Sequence, residues 1–404
     1  MSREGIPPRT ADTSPRRPDW DARDPTVLAD QIRAYDDMRR RCPVAHSDYL
    51  NWSLFRHEDV VRALTDHDTF SNAVSSYLSV PNGMDPPVHT PYRKLIEPYF
   101  GPGPMAAFAP VCRGIVADLM RGLPADGEVE LMHGFAEDFA LQSQCAFMGW
   151  PATLHEPLRQ WTHSNRAATL AADREAMAAV ALEFDGYIRA QLALRRAAGA
   201  QATDDVTTRL LNENVEGRRL SDEEIVSIVR NWTVGELSTM SSCVGILAHY
   251  LAERPELQER LRRNPALLPP AIDEILRIHA PLIANRRVAT RDVDIGGRRI
   301  RAGERLTLMW ASANRDETVF GAPDEFRLDR DPAQNLLYGA GIHVCPGAPL
   351  ARLELRIVLE ALLGQTRRIG PIAGKPPVRA AYPASGYTSV PLWIEKSTGD
   401  TTGS

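Results

Sequence analysis

Residues 336–352 read LLYGAGIHVCPGAPLAR, and the rest of the chain is best understood from this stretch. Its glycines allow positive φ angles, so the backbone can lie close against a flat group. An apolar helical pattern begins at Pro349, which places unpaired N–H groups and the positive end of a helix dipole beside Cys345. These groups favour a thiolate over a thiol. A thiolate on a glycine-rich turn at a helix N-terminus meets the requirements of an axial haem ligand.

The spacing of this stretch is more specific than its cysteine, because a lone cysteine is usually a buried structural residue. The stretch resembles the haem-thiolate loop of the cytochrome P450 family, Phe-Gly-x-Gly-x-His-x-Cys-x-Gly, through Tyr338, Gly339, Gly341, His343, Cys345 and Gly347. Tyr338 replaces the family phenylalanine, which adds a hydroxyl that needs a partner. The resemblance implies that Cys345 binds the iron of haem b.

Composition excludes several classes of protein. The 404 residues are 43% hydrophobic and 25% charged, as in a globular protein with a sizeable core. A net charge of −5 gives no electrostatic reason to expect nucleic acid binding. The five cysteines are scattered, so we expect neither disulfides nor zinc, and a reducing compartment. The first twenty residues contain no apolar run, so we expect no signal peptide, no membrane anchor and a cytoplasmic location.

The chain is expected to form one folded domain. Residues 1–19 are too polar to bury much apolar surface and are predicted to be a disordered arm, and 397–404 a flexible tail. For 20–396 the resemblance implies the cytochrome P450 fold, which is mainly α with a smaller β region. Residues 158–191 occupy the place of the family's lid helices.

Two further segments resemble the family's propionate-binding residues. Asp85-Pro86-Pro87 predicts a helix start with aspartate as N-cap, and His89 and Arg93 then share one face. From the pattern alone, His89 and Arg93 would be expected on an ordinary solvent-exposed face of the helix. The resemblance assigns His89, Arg93, His343 and Arg287 to the haem propionates, and guanidinium and imidazole groups suit carboxylates.

The longest predicted helix begins at the capping signal Ser221-Asp222-Glu223-Glu224 and ends near Glu253. Within it, 235–239 partly resembles the family's oxygen-activating segment. Thr239 matches the catalytic threonine, although a helix threonine can simply bond its i−4 carbonyl. Ser238 occupies the position of the usual acid, and Glu236 that of a small residue.

Glu236 is therefore a candidate for the missing acid. It lies three residues before Thr239, within one helical turn. A carboxylate beside an apolar cavity is costly unless paired, so its pKa should rise. We expect Glu236 to deliver protons or to bind a polar or cationic group of the substrate. The alternative is that it turns away and pairs with an arginine of a neighbouring helix.

Glu274 and Arg277 are three residues apart on a predicted helix. Such pairs are common on helix surfaces, where they contribute little. Their distance upstream of the cysteine loop resembles the family's buried Glu-x-x-Arg pair. A third polar residue completes that pair in the family, and Arg330 is the candidate here.

The resemblance implies a monooxygenase that inserts one oxygen atom of O₂ into a small hydrophobic organic substrate. Electrons would come from a separate ferredoxin or flavodoxin with its NAD(P)H-dependent reductase. Arg352 and Arg356 are candidates for docking an acidic partner, and the alternative is an ordinary solvated helix face. Two alternatives are a peroxide-driven peroxygenase and a non-catalytic haem-thiolate ligand-binding or sensor protein. The substrate is not readable from the sequence; family geometry suggests a pocket formed by Tyr77, Asn231, Val234, Gly235, Leu282, Ile283 and Tyr387.

Overall fold

The computed structural model describes residues 17–397, and helices make up most of it. The α-helices are α1 (Pro25–Ala29), α2 (Gln31–Arg41), α3 (His57–Thr65), α4 (His89–Ile96), α5 (Pro102–Gly122), α6 (Glu137–Met148), α7 (His155–Ala171), α8 (Arg174–Ala198), α9 (Val206–Asn212), α10 (Asp222–Ala252), α11 (Pro255–Arg263), α12 (Leu268–His279), α13 (Trp310–Ala313), α14 (Glu317–Phe320) and α15 (Ala348–Gln365). A single π-helical turn, Met132–Ala136, leads directly into α6.

The strands are short and lie mainly at the edges of the helical body. They are β1 (Val44–Ser47), β2 (Asn51–Leu54), β3 (Phe70–Ser71), β4 (Asp126–Glu130), β5 (Asn214–Val215), β6 (Arg218–Arg219), β7 (Asn285–Ala289), β8 (Val293–Ile295), β9 (Arg298–Ile300), β10 (Arg305–Leu308), β11 (Thr366–Pro371), β12 (Val378–Arg379), β13 (Tyr387–Ser389) and β14 (Pro391–Lys396).

The largest sheet has the strand order β1-β2-β10-β7-β3. Only the β2–β10 pair in it is parallel, with Leu306 opposite Trp52. A second sheet, β11-β14-β4, is antiparallel. The predicted Gly296-Gly297 hairpin is present as β8 and β9, with Val293 opposite Ile300. The mainly α fold with a smaller β region is therefore confirmed.

Helix α10 runs through the main core and carries the predicted catalytic segment. The Ser221 hydroxyl accepts from the Glu224 N–H, and the Glu224 carboxylate accepts from the Ser221 N–H, so the predicted capping box is formed. Most apolar side chains of α10 are buried, including Leu237 and Met240. The helix continues unbroken past 235–239, and it packs against α6, α12 and α15.

The predicted N-cap at Asp85 is wrong. Helix α4 begins at His89, with Val88 as N-cap, and Asp85 precedes it in a turn. The Asp85 carboxylate instead accepts from the backbone N–H of Asn72 at 3.0 Å and from the Ser71 hydroxyl. The aspartate thus holds the loop that follows β3, a contact between distant residues that a local capping pattern does not reveal.

The domain boundaries remain predictions. Most of the predicted arm and nearly all of the predicted tail, at 1–16 and 398–404, lie outside the described residues. Among residues 17–397, none of the helices combines the length and apolarity that crossing a membrane requires.

Candidate active site

The cysteine turn leads into α15 as its sequence predicts. The backbone N–H of Cys345 donates to the Tyr338 carbonyl at 2.8 Å, which closes the turn. Gly339 and Gly341 have φ angles of +75° and +70°. A Cβ atom at Gly341 would lie 2.4 Å from the Leu64 carbonyl oxygen, so both the conformation and the close packing require glycine there.

The Cys345 thiol is accessible, yet protein groups surround it closely enough that burial raises its pKa. Backbone N–H groups of Gly347 and Ala348 act in the opposite direction and lower the pKa. The expectation that the helix terminus favours a thiolate is therefore only partly met, because desolvation outweighs these donors. A bound metal ion deprotonates a coordinating thiol outright.

Tyr338 is the first residue of this turn, and its carbonyl accepts from the Cys345 N–H. The Arg352 guanidinium stacks over its ring at 4.4 Å, and Arg352 also pairs with Asp273 at 3.0 Å. The Tyr338 hydroxyl is buried and has no hydrogen-bond partner among the described residues. The added hydroxyl thus remains unsatisfied, a cost that the family phenylalanine would avoid.

Three of the predicted propionate-binding residues meet beside the turn. The rings of His89 and His343 lie 4.5 Å apart between centroids, and both Nε2 atoms are buried without a partner among residues 17–397. Burial lowers both imidazole pKa values, that of His343 to about 3, so both rings are neutral at pH 7. Arg93 donates to the Val344 carbonyl at 2.6 Å and to Glu97 at 2.7 Å, which ties α4 to the turn.

Arg287 on β7 is the fourth of these residues. Its side chain is only 2% exposed, and it donates to the Arg286 carbonyl at 2.7 Å. Burial lowers its pKa to about 10, with the Asp85 charge acting against that shift, so the guanidinium remains charged at pH 7. A buried guanidinium without an ion pair among the described residues, near two unpartnered imidazole nitrogens, fits an anionic ligand.

Glu274 and Arg277 form a buried bidentate pair, with distances of 2.7 and 3.0 Å. Arg330 donates to Glu274 at 2.8 Å, which is the position expected for the third member. Arg277 also donates to the carbonyls of Asn314 and Pro323. Every charge in this cluster has a partner, and the cluster joins α12 to the segments on both sides of α14.

Thr239 and Ser238 both line a cavity of about 260 Å³ beside α10. Each hydroxyl donates to the carbonyl four residues earlier: Thr239 to Gly235 at 2.6 Å and Ser238 to Val234 at 2.9 Å. Thr239 thus makes the hydrogen bond to the carbonyl four residues earlier that any helix threonine can make. Such bonds leave the oxygen lone pairs of both hydroxyls available towards the cavity.

The predicted substrate residues separate into two groups. Leu282 and Tyr387 line the 260 Å³ cavity. Tyr77 is 77% exposed, and Asn231 donates to the Val80 carbonyl at 3.1 Å. The remaining residues, Val234, Gly235 and Ile283, are not part of the lining of this cavity either.

Sequence reasoning did not identify the polar wall of the cavity. Helix α7 supplies Arg159, His163 and Arg166, and the start of α6 supplies Glu137. These residues belong to no recognisable motif, and their position depends on how α6 and α7 pack. The resemblance placed lid helices here but named no residue of α7.

Glu236 lies outside the cavity lining, and its carboxyl interacts electrostatically with that of Glu354 on α15. Oε1 of Glu236 and Oε2 of Glu354 are both buried without a hydrogen-bond partner among the described residues, which a proton shared by the two carboxyls would satisfy. Ser143 of α6 donates to the other side of Glu354. Burial raises the pKa of Glu236 to about 7 and raises that of Glu354 well above its ordinary value. Burial raises the pKa of the Cys112 and Cys243 thiols, and the charge of Glu236 adds to both shifts.

The expected alternative, an arginine partner for Glu236, is absent among residues 17–397. A hydrogen bond between two carboxyls needs one proton, so the pair holds a proton in place of a cation. Glu354 was not identified from the sequence. The signal was available, because Glu354 is a charged residue between Leu353 and Leu355 in an apolar helix.

Comparison with known proteins then decides the family. Residues 154–367 match the family model of cytochrome P450. The chain is 31% identical over 351 residues to cyclomarin C epoxidase of Salinispora arenicola, with 82% of this chain and 88% of that protein covered. The chain belongs to the cytochrome P450 family. It is a cytochrome P450 monooxygenase, and membership implies a haem-thiolate cofactor.

Two further relatives of this P450 are informative. Linalool 8-monooxygenase of Pseudomonas putida is 28% identical over 377 residues, which cover 86% of this chain and 92% of that protein. The structure of CYP109E1 from Bacillus megaterium in complex with testosterone superimposes with a TM-score of 0.80. It is 26% identical and covers 90% of this chain and 98% of that one.

Proposed function

We propose that this P450 binds haem b through Cys345 and inserts one oxygen atom from O₂ into a small hydrophobic organic substrate, by hydroxylation, O-dealkylation or a similar reaction. The observation that carries the proposal is the Cys345 turn. It places a cysteine just before α15, beside two buried imidazole nitrogens that have no partner within residues 17–397, and near a buried guanidinium. Thiolate-bound haem supplies the binding and activation of dioxygen.

The residues around the turn suit the propionates and the iron of such a cofactor. His89, His343, Arg93 and Arg287 would bind its propionates, with each neutral imidazole donating one N–H and each guanidinium adding charge. Cys345 would provide the axial thiolate. Gly339 has a φ angle of +75°, which favours glycine, whereas a Cβ at Gly347 would make only an ordinary van der Waals contact with the Cys345 sulphur at 3.8 Å.

The cavity beside α10 would hold the substrate. Thr239 and Ser238 face it from α10, and Leu282 and Tyr387 close another side. Thr239 would position oxygen-derived groups and pass protons, because its hydroxyl donates to Gly235 while its lone pairs remain free to accept. Two relatives, cyclomarin C epoxidase and linalool 8-monooxygenase, support an organic substrate without specifying which one.

Proton delivery would come from Glu236 and Glu354. Glu236 lies less than one helical turn before Thr239, and it shares a proton with Glu354 behind the cavity wall. A carboxyl whose pKa is about 7 gives up and regains a proton readily at neutral pH. Because Glu236 does not line the cavity, its position supports proton delivery over substrate binding.

The proton role is tested with Glu236→Gln and Glu354→Gln in the purified, haem-loaded enzyme. We expect NADH consumption and product formation to slow about 10²–10⁴-fold, the range of general acid–base catalysis, at unchanged substrate affinity. Glu360→Gln, a surface change on the same helix α15, is the control. Loss of substrate affinity, or wild-type rates in both variants, would contradict the proton role.

Electrons are proposed to come from a separate ferredoxin or flavodoxin and its NAD(P)H-dependent reductase. A peroxygenase is the second candidate, because Ser238 replaces the usual acid of the oxygen-activating segment. Turnover with a surrogate ferredoxin system and NADH, compared with turnover on hydrogen peroxide alone, separates the two. We expect product only with the electron-transfer system. Product from peroxide alone would establish the peroxygenase, and no product under either condition would favour a ligand-binding or sensor role.

A further inference from the structure

We propose that His133, Glu137 and His163 form a binding site for one divalent transition-metal ion of the zinc class, where the start of α6 meets α7. Their ligand atoms all lie within 4.8 Å of one another. Two imidazoles and one carboxylate are a donor set that zinc accepts, with a fourth position left for water. This site is separate from the haem-binding residues, although two of its members line the cavity proposed for the substrate.

The distances match the size of such an ion. The Nδ1 atom of His133 lies 3.0 Å from the Oε2 atom of Glu137, and the Nε2 atom of His163 lies 3.4 Å from the same oxygen. Ligands about 2.0–2.1 Å from a tetrahedral zinc ion are separated by roughly 3.3 Å, which follows directly from these bond lengths. The cluster therefore needs little rearrangement along these two edges.

The backbone that carries the ligands is well fixed. His133 lies in the π-helical turn that precedes α6, and such turns are frequent at functional sites. Its backbone N–H donates to Glu130 at 2.8 Å. His163 comes from α7, with its ring 6.3 Å from that of His133 and nearly perpendicular to it. A shared ion would thus connect two helices rather than two turns of one helix.

Arg159, which lines the same cavity as Glu137, is paired with other carboxylates. Arg159 of α7 pairs with Asp138 at 2.6 Å and with Glu156 at 3.1 Å. Glu137 is left with the two imidazoles as partners, and only 16% of its side chain is exposed. The two histidine side chains are about half exposed, at 58% and 52%, so an ion from solvent can reach them.

A metal ion bound at this position would affect the packing of α6 and α7. Glu137 and His163 both line the 260 Å³ cavity, so a bound ion would lie at its edge. It would hold α7 against α6 and stabilise the cavity wall. The alternative is a His–Glu–His hydrogen-bond cluster without a metal ion. In that case the melting temperature would not depend on zinc.

The experiment uses the full-length, haem-loaded protein without a polyhistidine tag, after treatment with a chelator. Titration with ZnCl₂ in a calorimeter should give one ion per chain. The melting temperature should rise with zinc concentration, as for any ligand that binds only the folded state. Removing a residue that only hydrogen-bonds to a metal ligand already lowers metal affinity about 10–100-fold. His133→Ala, His163→Ala and Glu137→Gln remove ligands themselves, so each should lower zinc affinity about a hundredfold or more.

His155→Ala, on α7 but outside the cluster, is the matched control and should bind zinc like the wild type. The carbon monoxide spectrum of each reduced variant checks that its haem site is intact, and Glu137→Gln preserves the shape of the side chain. No saturable binding at one ion per chain, or unchanged binding in the His133→Ala, His163→Ala double variant, would overturn the proposal.

Discussion

Glu274 and Glu354 are both buried glutamates on core helices, at 5% and 0% exposure, but their surroundings are opposite. Glu274 meets the guanidinium groups of Arg277 and Arg330. Glu354 meets the carboxyl of Glu236 and the hydroxyl of Ser143. The first cluster balances its charge with cations, whereas the second can do so only with a proton.

The difference separates a structural role from a chemical one. A guanidinium remains charged at any ordinary pH, so the cations that partner Glu274 are present throughout that range. A shared proton can be released and regained, so the Glu354 cluster changes state within the physiological range. Of the two, only the second is suited to move protons during turnover.

The largest expected effect comes from breaking the balanced cluster. Arg277→Ala leaves Glu274 buried with one counterion fewer, at a cost of about 3–5 kcal/mol. We expect poorly folded protein with little haem, measured by haem content and thermal unfolding. Arg299→Ala, which removes an arginine that is 61% exposed in its pair with Asp292, is the control and should cost at most about 1 kcal/mol. Full haem content and wild-type melting in Arg277→Ala would show that the cluster contributes nothing to folding.

A smaller effect is expected from the carboxyl pair, and it depends on pH. The folded-state pKa of Glu236 is raised from 4.5 to about 7, so its stabilising contribution is complete below about pH 4.5 and is lost as the pH rises through about 7. Unfolding by urea should therefore become easier between these values in the wild type. Glu236→Gln should remove the Glu236 part of this dependence, which is about 3 kcal/mol for a rise in pKa from 4.5 to about 7 at roughly 1.4 kcal/mol per pKa unit. An unchanged pH profile in the variant would mean that the pair is not protonated as we describe.

The smallest effect concerns Tyr338, whose hydroxyl is buried without a partner among the described residues. Tyr338→Phe should leave the stacking of Arg352 intact and should stabilise the folded state by about 1 kcal/mol. The measurement is the melting temperature of the ferric protein. A clear loss of stability would show that the hydroxyl has a partner in the haem-bound protein.

The same comparison shows what a sequence can and cannot reveal. Cys345 and its glycines, the Ser221–Glu224 capping box, and Glu274 with Arg277 were predictable because their partners lie a few residues away or at a characteristic spacing. The pairing of Glu236 with Glu354 was not predictable, since α10 and α15 meet only after folding. Asp85 was misread for the same reason, because its partners Ser71 and Asn72 belong to a different segment.

The role of Cys345 is tested most directly by the carbon monoxide spectrum of the reduced protein. We predict the red-shifted Soret band of a thiolate-bound haem in the wild type, and its complete loss in Cys345→His. A wild-type band at the position typical of histidine-bound haem, or an unchanged band in Cys345→His, would contradict the assignment of Cys345 as the axial ligand.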